Sequence, residues 1–201
     1  MPYTFNVKQR NPEHKNPIIP GVHLVQQVVF PDGRGSFREA YTRPEFVAHG
    51  IDYNFVQDNV SISKKGVVRG LHISVPPFEQ AKLVYVVRGS VLDVIVDARK
   101  NSPTFGKYAM YKLSDKNNLM VVIPVGCLHG FGALEDDTIF SYKVNNFYNK
   151  DASRTVNWLD PTLNINWGIA ADQAILSPQD QNAMDWNTFI ADNGHLFSLQ
   201  H

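Results

Sequence analysis

Two histidines lie in apolar segments that glycine interrupts, and they are the first residues in the chain that could do chemistry. His72 ends the segment VVRGLH at 67–72, and His129 lies within IPVGCLHGF at 123–131. Imidazole titrates near neutral pH, so it can serve as a general acid, a general base or a metal ligand. A histidine in such a segment is also often a packed core residue with both nitrogens satisfied. That alternative stands for each of the two.

The two segments resemble the two sequence motifs of the cupins. The second has the P-x-G-x-x-H spacing of the second cupin motif, and the first resembles the first motif with one histidine missing. Where H-x-H is usual, this chain has His72, Ile73 and Ser74. His72, Glu79 and His129 fall near the cupin ligand spacing, and zinc or iron accepts such ligands. Because one imidazole is missing, we expect no metal, and a metal-dependent cupin remains the alternative.

Longer blocks of sequence resemble one family within this fold. They run from about Gly21 to Asp180, and they are DGRGSFRE at 32–39, FVQDN at 55–59, KKGVVRGLH at 64–72, DARKNSPTFG at 97–106 and the His129 segment. In length and order they resemble the dTDP-4-dehydrorhamnose 3,5-epimerase family. The resemblance implies a mainly β cupin jelly-roll barrel with short flanking helices. It also implies a homodimer that needs no cofactor.

The chemistry of this family explains the residue types. A 4-keto group acidifies the hydrogens at C3 and C5 of the sugar. Epimerisation then needs a base on one ring face, an acid on the other and donors for the enolate oxygen. By the resemblance, the base falls on His72, the carboxylate that orients it on Asp180 and the acid on Tyr142. Lys82 matches the lysine near the sugar carbonyl oxygen, and Asp93 is a carboxylate that could pair with its ammonium.

The substrate-binding positions of the family also have counterparts here. His129 lies where the family places a second active-site histidine. The positions that hold the nucleotide diphosphate and base are matched by Arg34, Phe37, Glu39, Gln57, Asn59, Arg69 and Tyr148. Arginine suits a diphosphate because its guanidinium is a rigid, cationic fork.

Several of these residues have a plain structural alternative. Tyr142 lies near the end of an apolar strand, where tyrosine is usually core packing. Arg34 and Glu39 could form a surface or interface ion pair. Asp180 is the third residue after Ser177, where an acid suits the dipole of a helix. The capping and orienting roles of Asp180 compete, because one side chain cannot easily fill both.

The elements that must position these residues are mostly strands. From Val56 to Tyr148, runs rich in Val, Ile, Leu and Tyr recur at short intervals between Gly, Pro, Asn and Asp. Many short strands with few helices predict a sandwich or a jelly-roll barrel. The runs at 83–87 and 91–96 flank Arg88, Gly89 and Ser90, which predicts a hairpin.

Alternation within the second of these runs is informative. It places Asp93 and Asp97 on the same face as Val91 and Ile95, opposite to Leu92, Val94 and Val96. A carboxylate in an otherwise apolar strand needs a partner.

Two helices are predicted outside the strand region. Pro44 and Gly50 bracket a short helix at about Pro44 to His49. A C-terminal helix at about Pro178 to Ile190 begins after Ser177, which is a good N-cap.

Composition limits the class of protein. The 201 residues carry 19 Lys plus Arg and 19 Asp plus Glu. This neutral charge balance gives no electrostatic indication of binding to nucleic acid or to an anionic membrane. Cys127 is the one cysteine, and the N-terminal residues do not read as a secretory signal, so we expect a cytoplasmic protein. We expect one domain over 1–201, with an N-terminal arm at 1–20 and a C-terminal helix and tail at about 177–201.

The chain departs from the family next to the predicted catalytic positions. It has Ile73 and Ser74 after the base, Ala81 before the lysine, and Leu128 before the second histidine. These changes leave the exact sugar, the nucleotide base and the inverted centre open. We therefore predict an epimerase that inverts C3, C5 or both in a nucleoside-diphosphate 4-keto-6-deoxyhexose, for deoxysugar synthesis. The alternatives are a sugar 3,4-ketoisomerase, a sugar-nucleotide-binding cupin without turnover, and a metal-dependent cupin.

Overall fold

The computed structural model describes residues 5–8 and 17–199 and consists mainly of antiparallel strands. The strands are β1 (Asn6–Lys8), β2 (His23–Gln26), β3 (Val29–Asp32), β4 (Gly35–Arg38), β5 (Gln57–Ser63), β6 (Val68–Ser74), β7 (Lys82–Arg88), β8 (Ser90–Asp97), β9 (Tyr108–Ser114), β10 (Leu119–Ile123), β11 (Cys127–Ala133), β12 (Thr138–Val144) and β13 (Ser153–Thr155). The helices are α1 (Arg43–Ala48), α2 (Pro178–Gln181) and α3 (Trp186–Asn193), and a 3-10 turn spans Gly194–Leu196.

Two sheets carry the core, and a short ribbon stands beside them. The six-stranded sheet has the order β1-β2-β10-β7-β12-β5, and the five-stranded sheet has the order β13-β6-β11-β8-β9. The ribbon is the β3–β4 pair. Between the sheets, buried side chains such as Val84 and Phe140 from the first pack with Val91, Ile95 and Phe131 from the second. Two sheets face to face are the architecture that the sequence predicts.

Each sheet is also covered on its outer face. Trp158, Trp167 and Phe189, from the loop after β13 and from α3, cover the five-stranded sheet. Phe46 of α1 packs with Leu83 and other residues of the six-stranded sheet. No helix in the described ranges is long and apolar enough to cross a membrane.

The hairpin predicted at 83–96 is wrong. β7 pairs with β10 and β12, whereas β8 pairs with β11 and β9 in the other sheet. Gly89 between them has φ +82, and a Cβ at that position would lie 2.5 Å from Oγ1 of Thr138. The glycine therefore turns the chain from one sheet to the other. Hairpins and sheet-to-sheet corners share the same local signal, and only the partners of each strand distinguish them.

The predicted alternation in β8 is confirmed. Val91 and Ile95 belong to the core between the sheets, whereas Val94 and Val96 pack in the outer cluster. Asp93 shares the inner face of the strand.

The predicted helix at 44–49 is confirmed as α1, but the predicted C-terminal helix is two helices. Ser177 does cap the first, because its Oγ accepts a hydrogen bond from the Asp180 backbone N–H. α2 then ends at Gln181, and Met184 pairs with the segment after β13. Asp185 starts α3 by accepting from the Thr188 N–H. Backbone pairing at Met184 is incompatible with a continuous helix.

Both ends of the chain contain residues that pack or pair with the rest of the domain, although the sequence predicted only an N-terminal arm and a C-terminal tail. Residues 1–4, 9–16 and 200–201 lie outside the described residues, but β1 within the predicted arm pairs with β2. In the tail, Phe197 is buried beside Phe189, and its carbonyl accepts from the Lys100 N–H. The tail is therefore anchored on the loop that follows β8.

The loop that follows β8 is organised by the buried carboxylate of Asp97. Asp97 has no solvent exposure, and its two oxygens accept from Nε and Nη2 of Arg99 at 2.8 and 2.9 Å. Ser102 and Thr104 donate their hydroxyls to the same side chain. Burial alone would raise the pKa of Asp97, but these hydrogen bonds and the Arg99 charge hold it below its ordinary value. The carboxylate is therefore ionised and fully paired.

We predict that Asp97→Asn lowers the free energy of unfolding by about 3 kcal/mol, because it leaves the buried Arg99 charge uncompensated. Urea unfolding at pH 7 measures the difference from the wild type. Because the folded-state pKa is depressed, this stabilisation is present above about pH 4 and is lost as the pH falls below it. A difference below about 1 kcal/mol at pH 7 would contradict the network's role.

Candidate active site

A cavity of about 470 Å³ opens between the two sheets. β5, β7 and β12 line it from the six-stranded sheet, β6 and β11 from the five-stranded sheet, and the α2 region closes one side. Its polar lining residues are Ser61, Arg69, His72, Lys82, His129, Tyr142, Ser177, Gln179 and Asp180. All four predicted catalytic residues are therefore brought together, along with Arg69 and His129.

His72 is hydrogen-bonded to Asp180. The two atoms that meet are Nε2 of the imidazole and Oδ1 of the carboxylate, at 2.6 Å, and the Gly70 N–H donates to the same oxygen. The side chain of Asp180 is 3% exposed and that of His72 is 34% exposed. Burial would raise the pKa of Asp180, but the hydrogen bonds from His72 and Ser177 lower it below its ordinary value. The ionised carboxylate of Asp180 therefore accepts a hydrogen bond from Nε2 of His72. Nδ1 of His72 has no described hydrogen-bond partner.

Asp180 orients the imidazole and belongs to the helix cap at the same time. Ser177 Oγ accepts from the Asp180 N–H and donates to Oδ2 at 2.7 Å, while Oδ1 contacts His72. The two roles were predicted to compete. They coexist because Ser177 supplies the cap and the carboxylate has two oxygens.

His129 lies directly opposite His72 in the pairing of β11 with β6. Its Nε2 is 2.7 Å from Oδ1 of Asp93, whose side chain is fully buried. Burial lowers the pKa of His129, and the Asp93 charge opposes that effect only in part. The imidazole is therefore neutral near pH 7.

Lys82 faces the same cavity from β7. Burial lowers the pKa of its ammonium to about 8, with Asp93 acting in the opposite direction. The direct pairing of Lys82 with Asp93 that the sequence suggested is not seen in the described residues, since Asp93 bonds to His129 instead. The ammonium remains charged near pH 7 and has no ion-pair partner in the described ranges.

Tyr142 faces the cavity from β12. Its ring lies 6.2 Å from that of Phe140, and no described hydrogen bond holds its hydroxyl. Burial raises the pKa of Tyr142, with the Arg69 guanidinium opposing, so the hydroxyl keeps its proton near neutral pH. His72 and Tyr142 belong to different sheets, so they approach the cavity from opposite walls.

Three predicted binding residues lie next to this cavity. Gln57 and Asn59 alternate with exposed residues and share the inward row of Ser61, which lines the cavity. Gln57 Nε2 donates to Asn59 Oδ1 at 2.9 Å, and its Oε1 accepts from the Tyr148 N–H. Asn59 is paired with Tyr142 across the strands. The inward-facing side chains of β5 therefore extend the cavity lining from Ser61 toward Tyr148.

Three other predicted binding residues do not reach the cavity of their own chain. Arg34 lies at the tip of the ribbon, where it pairs with Asp32 at 2.6 Å and its side chain is 91% exposed. Phe37 is 58% exposed on β4. Glu39 follows the ribbon, and its Oε1 is buried with no hydrogen-bond partner in the described ranges. Arg34 thus forms a surface ion pair, but with Asp32 and not with Glu39.

Some cavity residues were missed by the sequence reasoning. Ser61 follows Asn59 by two positions, and Phe131 follows His129 by two, so the alternation of strands would have found both. Phe140 likewise precedes Tyr142 by two. Gln179 donates to Thr155 Oγ1, and no signal in the sequence indicated its position.

The residues considered as metal ligands are not assembled. Glu79 faces a second cavity, which it shares with Arg99, and it does not line the one that holds His72 and His129. The described residues contain no group of three His, Cys, Asp or Glu side chains arranged to hold a metal ion.

Comparison with known proteins gives a consistent result. The profile of the dTDP-4-dehydrorhamnose 3,5-epimerase family matches residues 16–188. A relative of that name from Shigella flexneri is 46% identical over 165 residues, which are 82% of this chain and 90% of the relative. Another from Methanothermobacter thermautotrophicus is 40% identical over 81% of this chain and 88% of the relative.

Solved structures of similar proteins superpose on nearly the whole of this chain. The epimerase from Legionella pneumophila, solved in complex with dTDP-4-keto-L-rhamnose, has a TM-score of 0.88 at 36% identity and covers 98% of this chain and 100% of that one. ChmJ, a 3'-monoepimerase from Streptomyces bikiniensis, has a TM-score of 0.83 at 34% identity and covers 91% and 92%. These likenesses confirm the predicted cupin jelly-roll barrel. This chain belongs to the dTDP-4-dehydrorhamnose 3,5-epimerase family, whose named activity is that of an isomerase.

Proposed function

We propose that this protein epimerises a dTDP-linked 4-keto-6-deoxyhexose by acid–base catalysis, in the synthesis of a deoxysugar. The observation that carries the proposal is the placement of His72 and Tyr142 on opposite walls of one cavity. Inversion of a carbon centre needs proton removal and proton return on opposite faces of the ring. The ligands named in the related structures support a nucleotide sugar as the substrate.

In the proposed first step, His72 removes a proton from the carbon next to the 4-keto group. The ionised Asp180 keeps the proton of the imidazole on Nε2, so Nδ1 is the base. The electrons of the broken C–H bond pass to the carbonyl oxygen and form an enolate. The Lys82 ammonium donates to that oxygen, because the side chain is still charged near pH 7.

In the second step, the Tyr142 hydroxyl delivers its proton to the opposite face of the same carbon. The carbonyl reforms and the centre is inverted. Tyr142 then regains a proton from solvent, and the His72 imidazolium releases to solvent the proton that it took from the sugar. We propose that Gln57, Asn59, Arg69, His129 and Tyr148 hold the rest of the substrate, since they line or adjoin the cavity.

We also propose that the protein is a homodimer. The ribbon residues Arg34, Phe37 and Glu39 match nucleotide-binding positions of the family yet lie away from their own cavity, so they would serve the cavity of a second copy. Among the described strands, β5 lies at one edge of the six-stranded sheet, and it carries Val60 and Ile62, which are each 66% exposed. Exposed apolar side chains at a strand edge favour association. A cytoplasmic location stays a prediction.

The function is tested by incubating the protein with dTDP-4-keto-6-deoxyglucose in deuterated water. We expect NMR to show deuterium at C3, C5 or both, together with inverted product. His72→Ala should reduce the exchange about 10²–10⁴-fold without loss of nucleotide binding. Asp180→Asn should also reduce it, because the amide does not stabilise an imidazolium.

Each other outcome of this experiment has a defined meaning. Deuterium at one carbon only would make the protein a mono-epimerase, as the name of ChmJ indicates for that relative. A product with a displaced carbonyl would show a ketoisomerase. Absence of any exchange in the wild type would contradict the proposed function, and exchange at the wild-type rate in His72→Ala would move the base to another residue.

Tyr142→Phe should separate proton removal from inversion. Phenylalanine has no proton to deliver, so the enolate is reprotonated mainly by His72 on the original face. Deuterium then enters the sugar with its configuration retained. The measurement is the ratio of deuterium incorporation to inverted product, which we expect to rise above that of the wild type. An unchanged ratio at an unchanged rate would show that Tyr142 is only a packing residue.

The dimer is tested by sedimentation at micromolar concentration. We expect a mass of two chains for the wild type, and a shift toward one chain for Ile62→Asp because a charge at this edge opposes burial. Leu159→Asp, which changes another exposed apolar residue outside β5, is the matched control and should stay dimeric. A monomeric wild type would contradict the proposal.

A further inference from the structure

Asp93 is a buried carboxylate to which the mechanism above gives no role. It has no solvent exposure, and it lies in β8 between Phe131 of β11 and Tyr111 of β9. It is not among the residues that line the cavity. Any effect on the substrate must therefore pass through its neighbours.

Only one of its two oxygens is hydrogen-bonded. Oδ1 contacts His129 Nε2 at 2.7 Å, whereas Oδ2 is buried with no hydrogen-bond partner among the described residues. Asp97, four residues on and also fully buried, has both oxygens paired. A half-satisfied buried carboxylate costs stability. Its presence on an apolar strand face needs a compensating function.

The bond to Asp93 decides which nitrogen of His129 carries the proton. Because the carboxylate accepts, Nε2 holds the proton, and the burial that lowers the pKa of His129 keeps the ring neutral. Nδ1 is then an acceptor. It has no described partner and is not among the buried polar atoms cut off from solvent, so it opens onto the cavity that the ring lines. The ring is stacked on Phe140 at 6.1 Å, which fixes its plane.

The same carboxylate acts on Lys82. Burial lowers the pKa of the ammonium to about 8, and the charge of Asp93 is the influence that opposes this. Lys82 and His129 both line the cavity, from opposite sheets. The buried charge of Asp93 therefore acts on two side chains that line the same cavity: the donor Lys82 and the acceptor His129.

We propose that Asp93 is a positioning residue for the epimerase reaction, which holds His129 as an acceptor for a sugar hydroxyl and keeps Lys82 charged as the donor to the enolate oxygen. This inference rests on the proposed function. It assigns complementary roles to the two side chains: the charged Lys82 recognises the oxygen that gains charge, and the neutral His129 recognises a hydroxyl that keeps its proton. Without the Asp93 charge, Lys82 would lose its proton at a lower pH, and His129 would lose the ionised acceptor that holds the proton on Nε2.

The test is the pH profile of kcat/KM in Asp93→Asn. The amide keeps the volume but removes the charge, so the pKa of Lys82 should fall further, and the alkaline limb should move by about one pH unit to lower pH. The rate at pH 8 should drop about fivefold more than the rate at pH 6. Other titratable groups around the cluster stay in place in this variant; they are His72 on β6, Tyr111 on β9 and Tyr142 on β12.

Asp97→Asn is the matched control, because it removes the other fully buried carboxylate from the same strand. It should lower the melting temperature but leave the alkaline limb where it is in the wild type. If both variants leave the limb unmoved, or if both move it equally, the positioning role of Asp93 is overturned.

A second measurement uses the wild-type protein and needs neither folding of a variant nor turnover. Long-range ¹H–¹⁵N NMR spectra at pH 7 distinguish the two neutral imidazole tautomers from the imidazolium. We expect His129 to show a proton on Nε2 and none on Nδ1. A proton on Nδ1 would overturn the inference even if the enzyme is active, whereas lack of exchange in the wild type would contradict only the proposed function.

Discussion

The active site depends on the pairing of β6 with β11, in which His72 stands directly opposite His129. The two strands approach so closely that a Cβ on Gly70, which has φ +124, would lie 2.6 Å from the Gly130 Cα. The register shifts just beyond His129, between that residue and Phe131. Glycine at this crossing allows the close approach, and the two imidazoles thereby lie on neighbouring strands of the same cavity wall.

Each imidazole is then specialised by the carboxylate behind it and by its exposure. His72 is 34% exposed and bonded to Asp180 from the α2 cap, which leaves an accessible nitrogen beside an ionised acid. His129 is 8% exposed and bonded to Asp93 from the neighbouring strand. The same pair of residue types thus yields an accessible imidazole in one case and a buried, neutral ring in the other.

The jelly roll contributes a further constraint, because its cavity has walls from two different sheets. His72 on β6 and Tyr142 on β12 therefore face the cavity from different sheets. Lys82 on β7 and His129 on β11 repeat this division. The ribbon β3–β4 lies outside this frame, and it leaves Arg34 and Phe37 exposed away from the cavity of their own chain.

The local sequence determined much of this protein. The strand-rich region, the alternation of Asp93 and Asp97 with Val91 and Ile95, α1 and the Ser177 cap all follow from patterns within a few residues, and the motifs around His72 and His129 indicated the family and the cavity. Partners that are distant in sequence were decided only by the tertiary structure. β7 and β8 turned out to belong to different sheets, Asp93 bonds to His129 and not to Lys82, Glu79 faces another cavity, and the C-terminal helix is interrupted where Met184 pairs with the strand end. Periodicity reports which side of a strand a residue occupies, whereas its partner is chosen by long-range pairing and by the need of each buried charge to find an opposite group.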